Sequence, residues 1–84
     1  MGRYVYVLIS EKDGNLYIGC TENLSKRVAA HNQGKVRSTK HRIPLRLVYW
    51  EAFDDKYDAF RAERFYKTAK GKRELEKKMN CRVI

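Results

Sequence analysis

The sequence predicts an α+β domain in which a three-stranded antiparallel sheet is packed with helices, in the order β-β-α-β-α-α. Three observations lead there. Two runs rich in β-branched and aromatic residues, 3–9 and 15–19, flank an Asp13-Gly14 pair, a dipeptide that strongly favours a tight hairpin turn. A third run of the same kind lies at 45–52. Elsewhere apolar residues recur at three- and four-residue steps, the period of a helix lying on a core. Strands and helices of this kind hide their apolar faces against one another. With 84 residues, the chain is expected to be one domain spanning 1–84, with a thin core.

In the first strand, RYVYVLI, Tyr4, Tyr6 and Leu8 share one face and Val5, Val7 and Ile9 the other, because side chains alternate across a pleat. The second strand ends at Gly19 and brings Tyr17 near the strand of Tyr6. Asn23 or Thr21 caps the helix running to about residue 32, since both side chains accept from free amides. Within it, Leu24, Val28 and His31 form one stripe, and Lys26, Arg27 and Ala30 a neighbouring one. Arg27 and His31 are four apart and point the same way. Asn32 and Gly34 stop this helix. Residues 34–46 form a basic loop leading into the third strand, where Leu45, Leu47 and Tyr49 alternate against Arg46, Val48 and Trp50. Asp54 or Asp55 starts a long helix to about residue 69, with Ala59, Ala62, Tyr66 and Ala69 along one side and Phe60, Glu63 and Lys67 along the next. Gly71 is expected to break it before a very polar helix over 72–79, and residues 80–84 read as a loose tail.

Nineteen Lys and Arg against 10 Asp and Glu give a formal net charge of +9. Such an excess favours an anionic partner, nucleic acid or a membrane surface. The charge concentrates in the 34–46 loop, which has five Lys or Arg and no acid, and in 61–82, which has nine against three Glu. Lys35, Arg37, Lys40, Arg42, Lys67 and Lys70 are the candidate phosphate contacts. No apolar run approaches the length of about 18 residues that a membrane span needs, and no signal peptide is expected. Cys20 and Cys81 make neither a CxxC pair nor a zinc pattern with His31 and His41. They read as reduced thiols of a cytoplasmic protein.

Five polar groups stand among apolar ones: Tyr6, Tyr17, Arg27, His31 and Glu63. Cleaving a phosphodiester requires a base for water, a cation facing the phosphate and help for the leaving oxygen. One carboxylate holding a metal supplies part of this. Spacing alone leaves ordinary roles open as well. Tyr6 and Tyr17 fit a cross-strand aromatic pair, Glu63 a helix pair with Lys67, Arg27 a partner of Glu22, and His31 a packing residue.

Taken together, Tyr4-Val5-Tyr6, the Asp13-Gly14 turn, Tyr17-Ile18-Gly19, the RxxxH of Arg27 and His31, and the AxxAExxxK helix of Ala59, Ala62, Glu63 and Lys67 resemble the GIY-YIG endonuclease family, in its small stand-alone form. Tyr4 stands where the family name has glycine. The resemblance implies a metal-dependent endonuclease that cleaves DNA phosphodiester bonds. It further implies structure selectivity for branched or nicked DNA, a role in DNA repair and a targeting protein partner. By it, one of Tyr6 and Tyr17 is the general base and the other the orienting hydroxyl, with Tyr6 favoured slightly as the base. A free phenol titrates at about 10, so the base role needs a nearby cation or metal. Arg27 faces the scissile phosphate, Glu63 holds Mg²⁺ or Mn²⁺, His31 supports the site, and Gly19 lets the chain approach the substrate closely. The late asparagine of several members has only Asn80 as a counterpart, without the surrounding pattern, and its role is not carried over. The same fold and charge also suit a non-catalytic nucleic-acid-binding module.

Overall fold

In chain order the elements are β1 (Arg3–Ser10), β2 (Leu16–Thr21), α1 (Leu24–Asn32), β3 (Leu45–Phe53), α2 (Lys56–Tyr66) and α3 (Ala69–Arg82). They come from a computed structural model that describes residues 2–82, with side chains through residue 80. The sheet order is β2-β1-β3, antiparallel throughout. β1 is therefore the central strand, with helices over both of its faces. Val5, Tyr6, Val7 and Leu8 are all 0% exposed, which explains why the run carries so few polar residues.

Each face has its own core. Val5, Val7 and Ile18 pack with Tyr49 and with Ala59, Tyr66 and Leu75 of α2 and α3. Tyr6, Leu8 and Leu45 pack with Tyr17 and with Leu24 and Val28 of α1. The predicted alternation of β3 fails at one point. Val7 pairs with Tyr49 and Leu8 with Leu47, so Val48 is an extra residue in the ladder. A bulge puts two residues opposite one and flips the faces beyond it. Tyr49 consequently turns into the α2 and α3 core, while Trp50 pairs with Tyr6 and stays 38% exposed.

The helix starts follow capping chemistry. The Asn23 side chain accepts from the Lys26 amide and that of Asp55 from the Tyr57 amide, satisfying donors that lack a helical partner. Gly34, at φ 75°, follows the Gln33 cap of α1, a left-handed conformation that costs glycine little. Asn32 then imitates a strand, exchanging hydrogen bonds of 2.7 and 2.8 Å with the backbone of Leu45. The break between the last two helices comes earlier than Gly71. Lys67 caps α2, and the Thr68 hydroxyl accepts from the Gly71 amide inside α3. Gly71 serves close packing instead, since a Cβ there would overlap the Phe65 carbonyl oxygen. Residues 80–82 continue α3 where a loose tail was expected, and 83–84 lie outside the described residues.

A polar cluster fastens α3 to the sheet. Glu51 of β3 accepts from Tyr49 and Tyr66 at 2.7 Å each and from Lys78 at 2.9 Å. Burial pushes the Glu51 carboxyl up, but these donors outweigh it and hold it below the usual range. Burial, then the bond to Glu51, pushes the Tyr49 phenol up to about 12. Among the described residues, no helix is long and apolar enough to cross a membrane.

Candidate functional site

The hairpin and α1 bring four of the five expected residues together on one face of the sheet. Tyr6 pairs with Gly19 across the ladder and Tyr17 with Leu8, so both tyrosines point toward α1. Their ring centroids lie 6.3 Å apart, and the Tyr17 ring sits 5.0 Å from that of His31. The Tyr6 hydroxyl lies 2.9 Å from His31 Nε2, and Arg27 Nε donates to the same oxygen at 3.3 Å. On the far side of the ring, His31 Nδ1 lies 2.7 Å from Thr39 Oγ1.

Gly19 is required here for a reason other than close approach to a substrate. It is buried within β2, and a Cβ would lie 2.5 Å from the Tyr6 hydroxyl. The phenol occupies the space where a side chain would stand.

Burial and charge tune these groups in consistent directions. Tyr6 and His31 are both 0% exposed. Burial raises the Tyr6 pKa, and the Arg27 hydrogen bond only partly opposes it. Burial, helped by the Arg27 charge, lowers His31 to about 4, so the ring is neutral at neutral pH. The hydrogen bond to Tyr6 pushes the Arg27 guanidinium further above its ordinary value. The Cys20 thiol is pushed up by burial and then by the Glu63 charge, the reverse of what a thiolate nucleophile needs. The Tyr6 oxygen thus sits inside the protein, bonded to His31 and Arg27, while Arg27 and Tyr17 reach the boundary with solvent.

Glu63 makes no hydrogen bond to this group, although its charge reaches Tyr6 and Cys20. It lies on α2, which packs over the opposite face, and its carboxylate takes Lys67 Nζ at 3.0 Å. Among the described residues, no three His, Cys, Asp or Glu side chains gather where they could hold a metal ion. Glu63, already paired with Lys67, has no second carboxylate or histidine grouped with it into such a cluster. The Mg²⁺ or Mn²⁺ cofactor expected from sequence is therefore corrected: the donor set does not fit it.

The cationic residues distribute unevenly. Lys35, Arg37 and Lys40 are exposed on the loop after α1, and Lys67 and Lys70 are exposed at the α2–α3 junction. Arg42 is committed within the fold, bonding Asp13 at 2.9 Å and the Asn15 carbonyl at 3.0 Å. Two grooves adjoin the site. One of about 230 Å³ is lined by Lys26, Arg27 and Ala30 with Thr21 and Asn23. The other, of about 410 Å³, joins Tyr17 to Lys67 and Lys72. A third, of about 730 Å³, is an apolar cleft between α1 and β3 beside Tyr4 and Trp50 and holds none of the five residues. Sequence reasoning missed Thr39, Lys26 and Lys72. Lys72 lay within the basic 61–82 run, but Thr39 had no periodic signal inside an irregular loop.

A hairpin with a tyrosine from each strand, an arginine on the following helix and grooves lined by lysines on either side define a small α+β domain with a cationic site. The chain belongs to the GIY-YIG family: the family model described as "GIY-YIG catalytic domain" matches residues 2–80. It is 48% identical over 65 residues to a UPF0213 protein of Lacticaseibacillus paracasei, covering 76% of this chain and 72% of the relative. A UPF0213 protein of Pediococcus acidilactici is 42% identical over 86 residues, covering 99% and 87%. The solution NMR structure of a UPF0213 protein from Bacillus halodurans is similar at a TM-score of 0.57 and 38% identity, over 92% of this chain and 84% of that one.

Proposed function

We propose that this protein binds DNA through its phosphate backbone, as a nucleic-acid-binding module built on the GIY-YIG fold. The observation that carries this reading is the division of the site into a buried half and an exposed half. Tyr6 and His31 are wholly enclosed and act by fixing Arg27. Arg27 and Tyr17, at the surface between grooves that hold Lys26, Lys67 and Lys72, meet the phosphates. Lys35, Arg37, Lys40 and Lys70 extend the cationic surface, and Arg42 supports it from within the loop. Phosphate contacts of this kind give affinity with little sequence preference. Selection then falls to DNA shape, a nick or branch, or to a protein partner. A reduced Cys20 and a DNA ligand both suit a cytoplasmic protein.

A second reading, cleavage of the bound strand in DNA repair, is favoured by the catalytic-domain description of the matched family. In it Arg27 opposes charge growing on the phosphate, Tyr17 orients the reacting oxygen, and Glu63 is the nearby carboxylate. Tyr6 as general base would first have to leave its bonds to His31 and Arg27, since a base must reach the proton it removes. Titrating labelled duplex, nicked, flapped and branched DNAs, with and without a divalent salt, tests both readings. Binding without strand scission supports the module. Scission that disappears in Arg27→Ala supports cleavage. No binding to any of these DNAs would overturn both.

A further inference from the structure

The loop after α1 does more than carry charge. Val36 is 8% exposed and anchors one side of it, while the Ser10 hydroxyl donates to the Arg42 carbonyl on the other. Between these two anchors, Thr39 is 0% exposed and its backbone closes a turn onto Val36. Its hydroxyl faces inward to His31 Nδ1 at 2.7 Å. From there the contacts run without a gap through His31 Nε2, the Tyr6 hydroxyl at 2.9 Å and Arg27 Nε at 3.3 Å.

We infer that Thr39 is a positioning residue: it holds His31 as the tautomer protonated on Nδ1, which fixes the Tyr6 hydroxyl and, through it, the Arg27 guanidinium. The direction of each bond follows from its donors. Arg27 Nε–H only donates, so the Tyr6 oxygen accepts there. The Tyr6 proton then requires an acceptor, and the bare Nε2 supplies it. That leaves Nδ1 protonated and donating to Thr39 Oγ1. In the other tautomer, Nε2–H and Arg27 would both donate to the Tyr6 oxygen and Thr39 would donate to Nδ1, so each tautomer leaves one hydroxyl proton without an acceptor in this chain, and the phenol, the stronger donor of the two, is the costlier one to leave unpaired. An unpaired polar group in an enclosed site is costly. The basic loop thereby sets the geometry of a cation on a different element, and Lys35, Arg37, Lys40 and Arg27 act on DNA as one surface. The last step rests on the proposed DNA binding, but the tautomer does not.

The test has two readouts on the full chain. Nitrogen-15 NMR of the His31 ring reports the tautomer in the absence of DNA. Wild type is expected to show a protonated Nδ1 and a bare Nε2. Thr39→Val removes the hydroxyl and should shift the His31 signals and weaken DNA binding by about fivefold or more, while Thr39→Ser keeps the hydroxyl and should restore both to within about twofold. A wild-type ring protonated on Nε2 overturns the inference, as does a folded Thr39→Val variant with unchanged ring signals and affinity. Should Thr39→Val fail to fold, the wild-type and Thr39→Ser spectra decide. Loss of the DNA effect alone, with Arg27→Ala also silent, would count against the proposed function and leave the tautomer assignment standing.

Discussion

Acidification should unfold this protein through His31 before it does so through its carboxylates. The ring is 0% exposed, faces Tyr6, Tyr17, Thr39 and Arg27, and has its pKa lowered from 6.5 to about 4, by burial first and then by the Arg27 charge. In the unfolded chain the same ring takes a proton near its ordinary value. Between the two values the unfolded state binds more protons, so stability falls as pH falls. At about 1.4 kcal/mol per unit, the whole window is worth roughly 3 kcal/mol, of which about 2 is lost on going from about pH 7.5 to about pH 5. Urea unfolding of wild type and His31→Gln at these two pH values measures it. The variant starts less stable, having lost its buried bonds, but its profile across this window should be nearly flat. Glu51 and Asp13, whose carboxyls are held below their usual values, lose their contributions only at lower pH and do not blur the comparison. Parallel profiles for the two proteins would refute the argument, because a ring that titrates at its ordinary value in the fold has no such linkage.

Two further substitutions probe the packing that makes the site. Gly19→Ala places a methyl group 2.5 Å from the Tyr6 hydroxyl and should cost about 1–3 kcal/mol of stability, read by urea unfolding, with displaced Tyr6 and His31 resonances. A variant as stable as wild type, with those signals unmoved, would mean the phenol does not fill that space. Lys78→Met removes the cation that bonds both Glu51 and Tyr66. Because Lys78 is half exposed, a loss of about 1 kcal/mol is expected, with faster amide exchange along α3. Unchanged exchange would show that apolar packing alone fastens this helix.

Much of the fold was legible because its signals are local. The Asp13-Gly14 turn sets the hairpin, and Asn23 and Asp55 cap helices at the positions their side chains allow. The Leu24, Val28 and His31 stripe faces the core as its spacing requires. The misreadings arose where distant residues decide. Strict alternation assigned Tyr49 and Trp50 to the wrong faces because the bulge at Val48 is set by pairing with β1. Gly71 looks like a helix breaker, yet its place is fixed by the Phe65 backbone beside it. At the site, Tyr6, Tyr17, Arg27 and His31 could be named from their motif. The burial of Tyr6 could not be read, since it depends on which helix covers which face, whereas the Glu63–Lys67 pair, four residues apart on one helix, could. Thr39 reaches His31 by a bond spanning eight residues, through a loop with no period to read.

The most direct test measures DNA affinity for wild type and Arg27→Ala over a series of salt concentrations. Each phosphate neutralised by a cation contributes about 0.9 to the slope of log affinity against log salt. Wild-type affinity should fall steeply as salt rises. Arg27→Ala should bind more weakly at low salt and show a slope shallower by about one, with its far-ultraviolet circular dichroism unchanged. Equal affinities and equal slopes for the two proteins would mean that Arg27 does not face a phosphate, and would contradict the placement of the DNA backbone at this site.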